Sequence, residues 1–203
     1  RVAWETEIVM NYNHIRHFLS LVQLRQSVRK YTGKPVEDEK LRRCLEAARL
    51  APSASNSQPW KFIVVNDPEL VMKVAKETIG PLSTFNNFVP EAPVIIAVVI
   101  EKMKVFTKIG ASIQDREYPL IDIGIAAEHF CLQAAEEGLG TCMLGWFNEK
   151  PIKELLKIPK ERRIGLLITL GYAPDDYRLR EKIRKKPEEM ISFNFYKSHK
   201  NTL

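Results

Sequence analysis

The sequence predicts a single globular domain of mixed helices and strands, and three observations carry that reading. Val94-Ile95-Ile96-Ala97-Val98-Val99-Ile100 is an unbroken apolar run of strand length, as expected of a central strand covered on both faces. Ile164 to Leu170 is a second core strand of the same kind. Between them, Pro119 to Gly138 is apolar around most of a helical circumference, which puts a long helix at the centre of the molecule. With 203 residues, 45% of them hydrophobic, the chain is long enough to bury such a core in one domain.

Taken in order, Ile15, Phe18, Leu19 and Val22 keep approximately the spacing of an amphipathic helix that runs to about Gln26, with Asn11 and Asn13 as caps. His14 and His17 lie on it at i, i+3, but no carboxylate or Cys accompanies them, so they read as a solvated face. In Arg25-Gln26-Ser27-Val28-Arg29 the helix gives way to extended chain, where alternate residues share a face. Arg25, Ser27 and Arg29 can therefore converge on one anion. Glu37, Asp38 and Glu39 open a second helix with an apolar stripe of Leu41, Cys44, Leu45 and Ala48, which stops at Ala51-Pro52.

The stretch Pro52 to Trp60 follows, rich in Ser, Asn and Gln side chains between two fixed prolines. By itself it reads either as an ordinary turn or as a loop that hydrogen-bonds a polyfunctional small molecule. Lys61 to Val65 is a short strand and Pro68 to Thr78 a helix broken by Gly80-Pro81. Ser83 to Pro93 is loop, with Asn86-Asn87 between Phe85 and Phe88. Lys102 to Tyr118 has no persistent period and reads as an excursion that can lie over a pocket. Thr141 to Trp146 is expected as a strand and Lys150 to Leu156 as a helix. The tail from Asp175 carries the basic run Lys182-Ile183-Arg184-Lys185-Lys186 and the aromatics Phe193, Phe195 and Tyr196, which need a surface to pack on.

The net charge of +6 favours anionic partners and leaves nucleic acid, an acidic surface and a phosphorylated small molecule open. Cys44, Cys131 and Cys142 form no CxxC pair and sit in apolar patterns, so they read as buried free thiols in a reducing compartment. Charged and polar residues interrupt the longest apolar region, which argues against a membrane span. No basic segment followed by an apolar one opens the chain, and the expected location is cytoplasmic. Gly138 and Gly140 follow a helix and precede a strand, the reverse of the dinucleotide-binding order, and no phosphate loop, GxSxG elbow or HExxH is present.

Together, Arg25-Gln26-Ser27-Val28-Arg29, the Pro52 to Trp60 loop running into a strand, Gly138-Leu139-Gly140-Thr141-Cys142 and Lys182-Ile183-Arg184 resemble the FMN-dependent nitroreductase family, over roughly Asn13 to Tyr196. The resemblance implies an α+β fold, a three-layer α/β/α sandwich with a mostly antiparallel central sheet. It also implies a homodimer with FMN at the subunit interface. Residues 1–203 then form one FMN-binding domain, with 1–12 as a lead and 175–203 as an extension wrapping the dimer partner. Arg25 and Ser27 are expected at the phosphate and ribityl end of FMN, joined there by Lys182 and Arg184, with Arg29 reaching the N1/O2 edge. Gln26 stands where a basic residue is common. Pro52, Ser53, Ala54 and Asn56 match the loop each subunit lends to its partner's flavin. Met143, Leu144 and Gly145 match the segment packed on the ring, and Gly145-Trp146 replaces the Glu-Gly of some relatives. Asn86 or Asn87 is assigned to the pyrimidine edge. The implied chemistry is flavin-centred, with no catalytic side chain and no metal: NADH or NADPH delivers hydride to the flavin, leaves, and an electron-poor small molecule of nitroaromatic or quinone type is reduced in its place. A flavin-binding or flavin-processing protein of the same fold without NAD(P)H turnover is the rival reading, and a basic nucleic-acid-binding module the remote one. Neither nucleic acid nor a membrane is an expected partner.

Overall fold

The two apolar runs lie side by side as the middle strands of one antiparallel sheet. The computed structural model describes residues 18–80, 85–102 and 117–196. In chain order its elements are α1 (Phe18–Leu24), α2 (Asp38–Arg49), β1 (Trp60–Val65), α3 (Pro68–Lys76), β2 (Val94–Ile100), α4 (Tyr118–Glu136), β3 (Gly140–Leu144), α5 (Glu149–Leu155), β4 (Arg163–Gly171) and the short α6 (Pro187–Met190). The strand order is β1-β2-β4-β3. Asn11, Asn13, His14, Ile15, His17 and most of the expected excursion from Lys102 to Tyr118 lie outside the described residues.

The period of two along β2 sorts its side chains between two helical layers. Val94, Ile96 and Val98 pack with Leu41, Cys44 and Ala48 of α2 and with Ile123, Ala127, Phe130 and Ala134 of α4. Ile95, Ala97 and Val99 pack with Val71, Val74 and Ala75 of α3 and Ile152 of α5. This is the three-layer α+β arrangement expected from the sequence. In β4 the ladder slips: Val98 faces Leu166 and Val99 faces Ile164, so Gly165 is an extra residue. The slip reverses the alternation, and Ile164 joins Leu167 on the α3 side while Ile168 and Leu170 stay on the α4 side. Asp67 caps α3 by accepting the Leu70 N–H at 2.8 Å, with Pro68 at the first helical position. All three cysteines are buried and free, as the apolar patterns around them predict.

Two expectations need adjustment. The strand predicted as Thr141 to Trp146 ends at Leu144, because the Trp146 carbonyl accepts from Asn86 Nδ2 at 3.0 Å instead of extending the ladder. The central helix is covered on one side only. Leu120 and Ile121 are 40% and 55% exposed, and Gly124 is exposed with them.

The segment after α1 crosses the open edge of β3. Val28 N–H donates to the Thr141 carbonyl at 2.8 Å, and Ser27 bridges Thr141 in parallel. Glycine makes this close approach possible, since a Cβ on Gly140 would come within 2.6 Å of Val28 Cγ2. Gly171, directly opposite Gly140 in the ladder, leaves the same kind of room for Pro93 and Tyr31. Tyr31 is buried, its hydroxyl donating to the Val28 carbonyl at 3.1 Å and lying 2.7 Å from Thr169 Oγ1. Burial holds its phenol well above the usual tyrosine range. Gly140→Ala is expected to destabilise the protein by about 1–3 kcal/mol through overpacking. Denaturant unfolding checks this, and an unchanged midpoint would show that the crossing segment is not clamped there.

Candidate functional site

The crossing segment and the C-terminal tail together enclose a cavity of about 280 Å³, lined by Arg25, Gln26, Ser27, Arg29, Arg180, Glu181, Lys182, Ile183 and Arg184. The tail runs antiparallel to the segment and is fastened by side chains. Tyr177 Oη accepts from Arg29 N at 3.0 Å, Gln26 Nε2 donates to the Arg178 carbonyl at 3.2 Å, and Gln26 Oε1 accepts from Arg180 N at 3.2 Å. Arg180 donates to the Ser27 carbonyl and Lys182 to the Arg25 carbonyl. Arg25, Ser27, Arg29, Lys182 and Arg184, more than 150 residues apart in the chain, are thus brought into one pocket. Desolvation lowers the Lys182 pKa, and the positive charges of Arg25 and Arg184 add to it. A pocket with five cations and one carboxylate in its lining suits an anion with several charges, such as a phosphate dianion.

Gln26 contributes no charge, as expected, but it is a clasp that fixes the tail. Arg180 joins the residues expected from the sequence. Its signal was present all the same: Arg180, Lys182 and Arg184 alternate, and in extended chain they share a face in the way Arg25, Ser27 and Arg29 do.

The Pro52 to Trp60 loop is built separately. Ala54–Asn56 forms a single 3-10 turn, and Ser55, Asn56 and Gln58 hold left-handed φ values of 50°, 51° and 48°. Such residues cost on the order of 1 kcal/mol or more each and persist where surroundings over-determine them. Here Ser53 Oγ accepts from Gln58 N at 2.9 Å, and Gln58 Nε2 donates to Asn56 Oδ1 at 2.9 Å. Ala54 N–H donates to both oxygens of Asp122 on α4, at 3.1 and 3.2 Å. Pro52 and Asn56 are left exposed. The loop feeds β1 at one edge of the sheet, whereas the basic pocket stands on β3 at the other, three strand spacings or about 14 Å across the sheet and toward the opposite end of the strands. No residue of the loop lines that pocket. Within one chain the structure does not bring Pro52, Ser53, Ala54 and Asn56 to Arg25.

At the end of β3, Leu144 is buried in the α3-side core, so only its backbone can face a ligand. Met143 points to the opposite face and is 37% exposed, and Gly145 and Trp146 are exposed beyond it. Asn86 is buried, and its amide donates to the Thr78 and Trp146 carbonyls at 2.9 and 3.0 Å. It shapes the chain after β3, and of the pair only Asn87 is exposed. Among the described residues no group of His, Cys, Asp or Glu is arranged to hold a metal, and no helix is long and apolar enough to cross a membrane.

Asp122 is buried beneath the loop, and desolvation raises its pKa above the ordinary 3.8 against the opposing Ala54 N–H. A carboxyl raised in the folded state lends stability that is fully present below its unfolded pKa and is lost as pH rises through its folded pKa. Relative to Asp122→Asn, the wild-type unfolding free energy should therefore decline as pH is raised from about 3 to 7. A difference that stays flat with pH would contradict this placement.

The chain matches the model of the Nitroreductase family over residues 22–86 and 82–172. A protein of Archaeoglobus fulgidus, provisionally named an NADH dehydrogenase/NAD(P)H nitroreductase, is 32% identical over 78% of this chain and 86% of its own. Among solved structures, a nitroreductase family protein of Clostridium novyi NT superposes with a TM-score of 0.67 at 33% identity, covering 78% of this chain and 86% of that one. An FMN-dependent nitroreductase of Clostridium difficile R20291 gives a TM-score of 0.70 at 29% identity, over 88% and 99% of the two chains. The motifs, the sheet order and these matches agree, and the chain belongs to the nitroreductase family.

Proposed function

We propose that the protein is an FMN-dependent oxidoreductase that uses NADH or NADPH to reduce an electron-poor small molecule of nitroaromatic or quinone type. The observation that carries the proposal is the basic pocket, assembled from two segments distant in sequence at the positions where family resemblance expects a flavin phosphate. Its residues fit the group. Arg25, Lys182 and Arg184 would hold the phosphate, with Arg180 closing the tail over it and Ser27 supplying a hydroxyl. Arg29 would lie along the ribityl chain and the N1/O2 edge, where a fixed cation stabilises negative charge. The chemistry that bound FMN would supply here is hydride exchange between a nicotinamide donor and an acceptor that would take the donor's place. Met143 and the backbone of Leu144 and Gly145 would pack against the ring, and Trp146, 70% exposed, would border the same surface.

The same proposal requires a second copy of the chain. Ile183, Phe193, Phe195 and Tyr196 are 87%, 79%, 79% and 93% exposed, and Leu120 and Ile121 of α4 add to the uncovered apolar surface. A homodimer in which the extension wraps the partner with its residues beyond Arg184, Tyr177 to Lys182 being fastened to their own chain, would cover both regions. It would also let Pro52, Ser53, Ala54 and Asn56 of one chain serve the flavin held by Arg25 of the other.

Purified protein should be yellow, its flavin absorbance bleached anaerobically by NADH or NADPH and restored by a nitroaromatic or a quinone. Bound flavin that neither nucleotide reduces would favour a flavin-binding protein without turnover, and failure to take up FMN at all would refute the flavin reading. Arg25→Ala and Arg184→Ala should each weaken FMN binding by about 1.5–3 kcal/mol, the range for hydrogen bonds to charged groups. Unchanged retention of FMN in both variants would overturn the phosphate assignment.

A further inference from the structure

Among the cations of the pocket, Arg25 has a carboxylate partner from outside it. Its Nε and Nη2 both lie 3.0 Å from Oε1 of Glu128, a residue of α4 103 positions further along the chain. The Nε N–H donates to this oxygen, and Nη2 pairs with it in charge along the side of the fork. The Nη1 end and the outer Nη2 hydrogen are left for the cavity that Arg25 lines. The Arg25 carbonyl is held separately, by Lys182. Arg25 is thus fixed at its backbone by the tail and at its side chain by the central helix.

We propose that Glu128 is the positioning residue for the anion site: it aims Arg25 at the phosphate of the bound flavin without occupying the part of the guanidinium that binds it. The proposal rests on the flavin reading above. A flexible Arg must lose rotamer freedom to bind an anion, and a guanidinium already held in place has less to lose. Glu128 also offsets part of the charge that Arg25, Arg180, Lys182 and Arg184 bring together, since its carboxylate opposes the lowering of the Lys182 pKa. The bland alternative is a surface ion pair. Arg25 and Glu128 side chains are 27% and 34% exposed, and pairs of that kind contribute little to stability. The two readings separate in what they do to ligand affinity.

The test is titration of FMN and riboflavin, followed by flavin fluorescence, into flavin-free wild type, Glu128→Ala, Glu128→Gln, Arg25→Ala and the Arg25→Ala/Glu128→Ala double variant. Glu128→Ala should weaken FMN about tenfold, the scale on which loss of an orienting partner acts at metal sites. It should leave riboflavin affinity unchanged, because riboflavin has no phosphate. Glu128→Gln keeps an oxygen acceptor for the Arg25 Nε N–H and should bind FMN within about twofold of wild type. In the Arg25→Ala background, loss of Glu128 should have no further effect, since a partner that acts through Arg25 has nothing left to aim. Unchanged FMN affinity in Glu128→Ala, equal losses for FMN and riboflavin, a Glu128→Gln loss as large as that of Glu128→Ala, or additive losses in the double variant would each overturn the proposal. Wild-type protein that binds no FMN would instead overturn the flavin reading on which it rests.

Discussion

Everything at the candidate site depends on how closely the segment around Val28 lies against the edge of β3. The Val28 N–H bond to Thr141 fixes its register, and the missing Cβ of Gly140 allows the contact. Tyr31 and Thr169 tie the next turn of chain to the sheet interior. That docking decides which alternate residues face the tail. A slip by one residue would turn Arg25, Ser27 and Arg29 away together, because side chains in extended chain alternate. The glycines opposite one another at Gly140 and Gly171 therefore act on the site although neither lines it.

A second constraint is electrostatic. Gathering Arg25, Arg29, Arg180, Lys182 and Arg184 around one cavity is unfavourable without counter-charge: desolvation lowers the Lys182 pKa first, and the charges of Arg25 and Arg184 lower it further. The protein accepts this by fastening the tail with neutral contacts: the Gln26 amide used at both ends, the Tyr177 hydroxyl, and backbone carbonyls as acceptors for cations. None of these contacts consumes the charge of the pocket. The chemistry that such a lining suits is the binding and orienting of an anion.

Much of this was legible in the sequence, for reasons that differ by region. The buried strands β2 and β4 announce themselves as continuous apolar runs, because a strand covered on both faces has no polar side to show. The alternation of Arg25, Ser27 and Arg29 is equally direct. Arg180 precedes the unbroken basic run, although its alternation with Lys182 and Arg184 begins there. The slip at Gly165 has its trace in the glycine itself, since an isolated glycine inside a strand pattern marks a bulge. Asn86 has the composition of a ligand contact, and only the fold reveals that its amide is taken by the Thr78 and Trp146 carbonyls. Glu128 lies 103 residues from Arg25 in the sequence, and no local pattern joins them.

The remaining feature is a division of labour across the sheet. The strained, exposed loop at Pro52 to Trp60 and the basic pocket stand at opposite edges of one chain, each well built and neither near the other. On this account a complete site takes its cations from one subunit and its loop from the next. Subunit mixing tests that claim most directly. Arg184→Ala removes a cation from the pocket, and Asn56→Gly removes a loop side chain at a backbone position that glycine tolerates. Each variant alone should bind FMN weakly, whereas dissociating, mixing and reassociating the two should yield mixed dimers that hold one FMN at near wild-type affinity. If the mixture binds no more tightly than either parent, the loop and the cations do not meet across the subunit boundary.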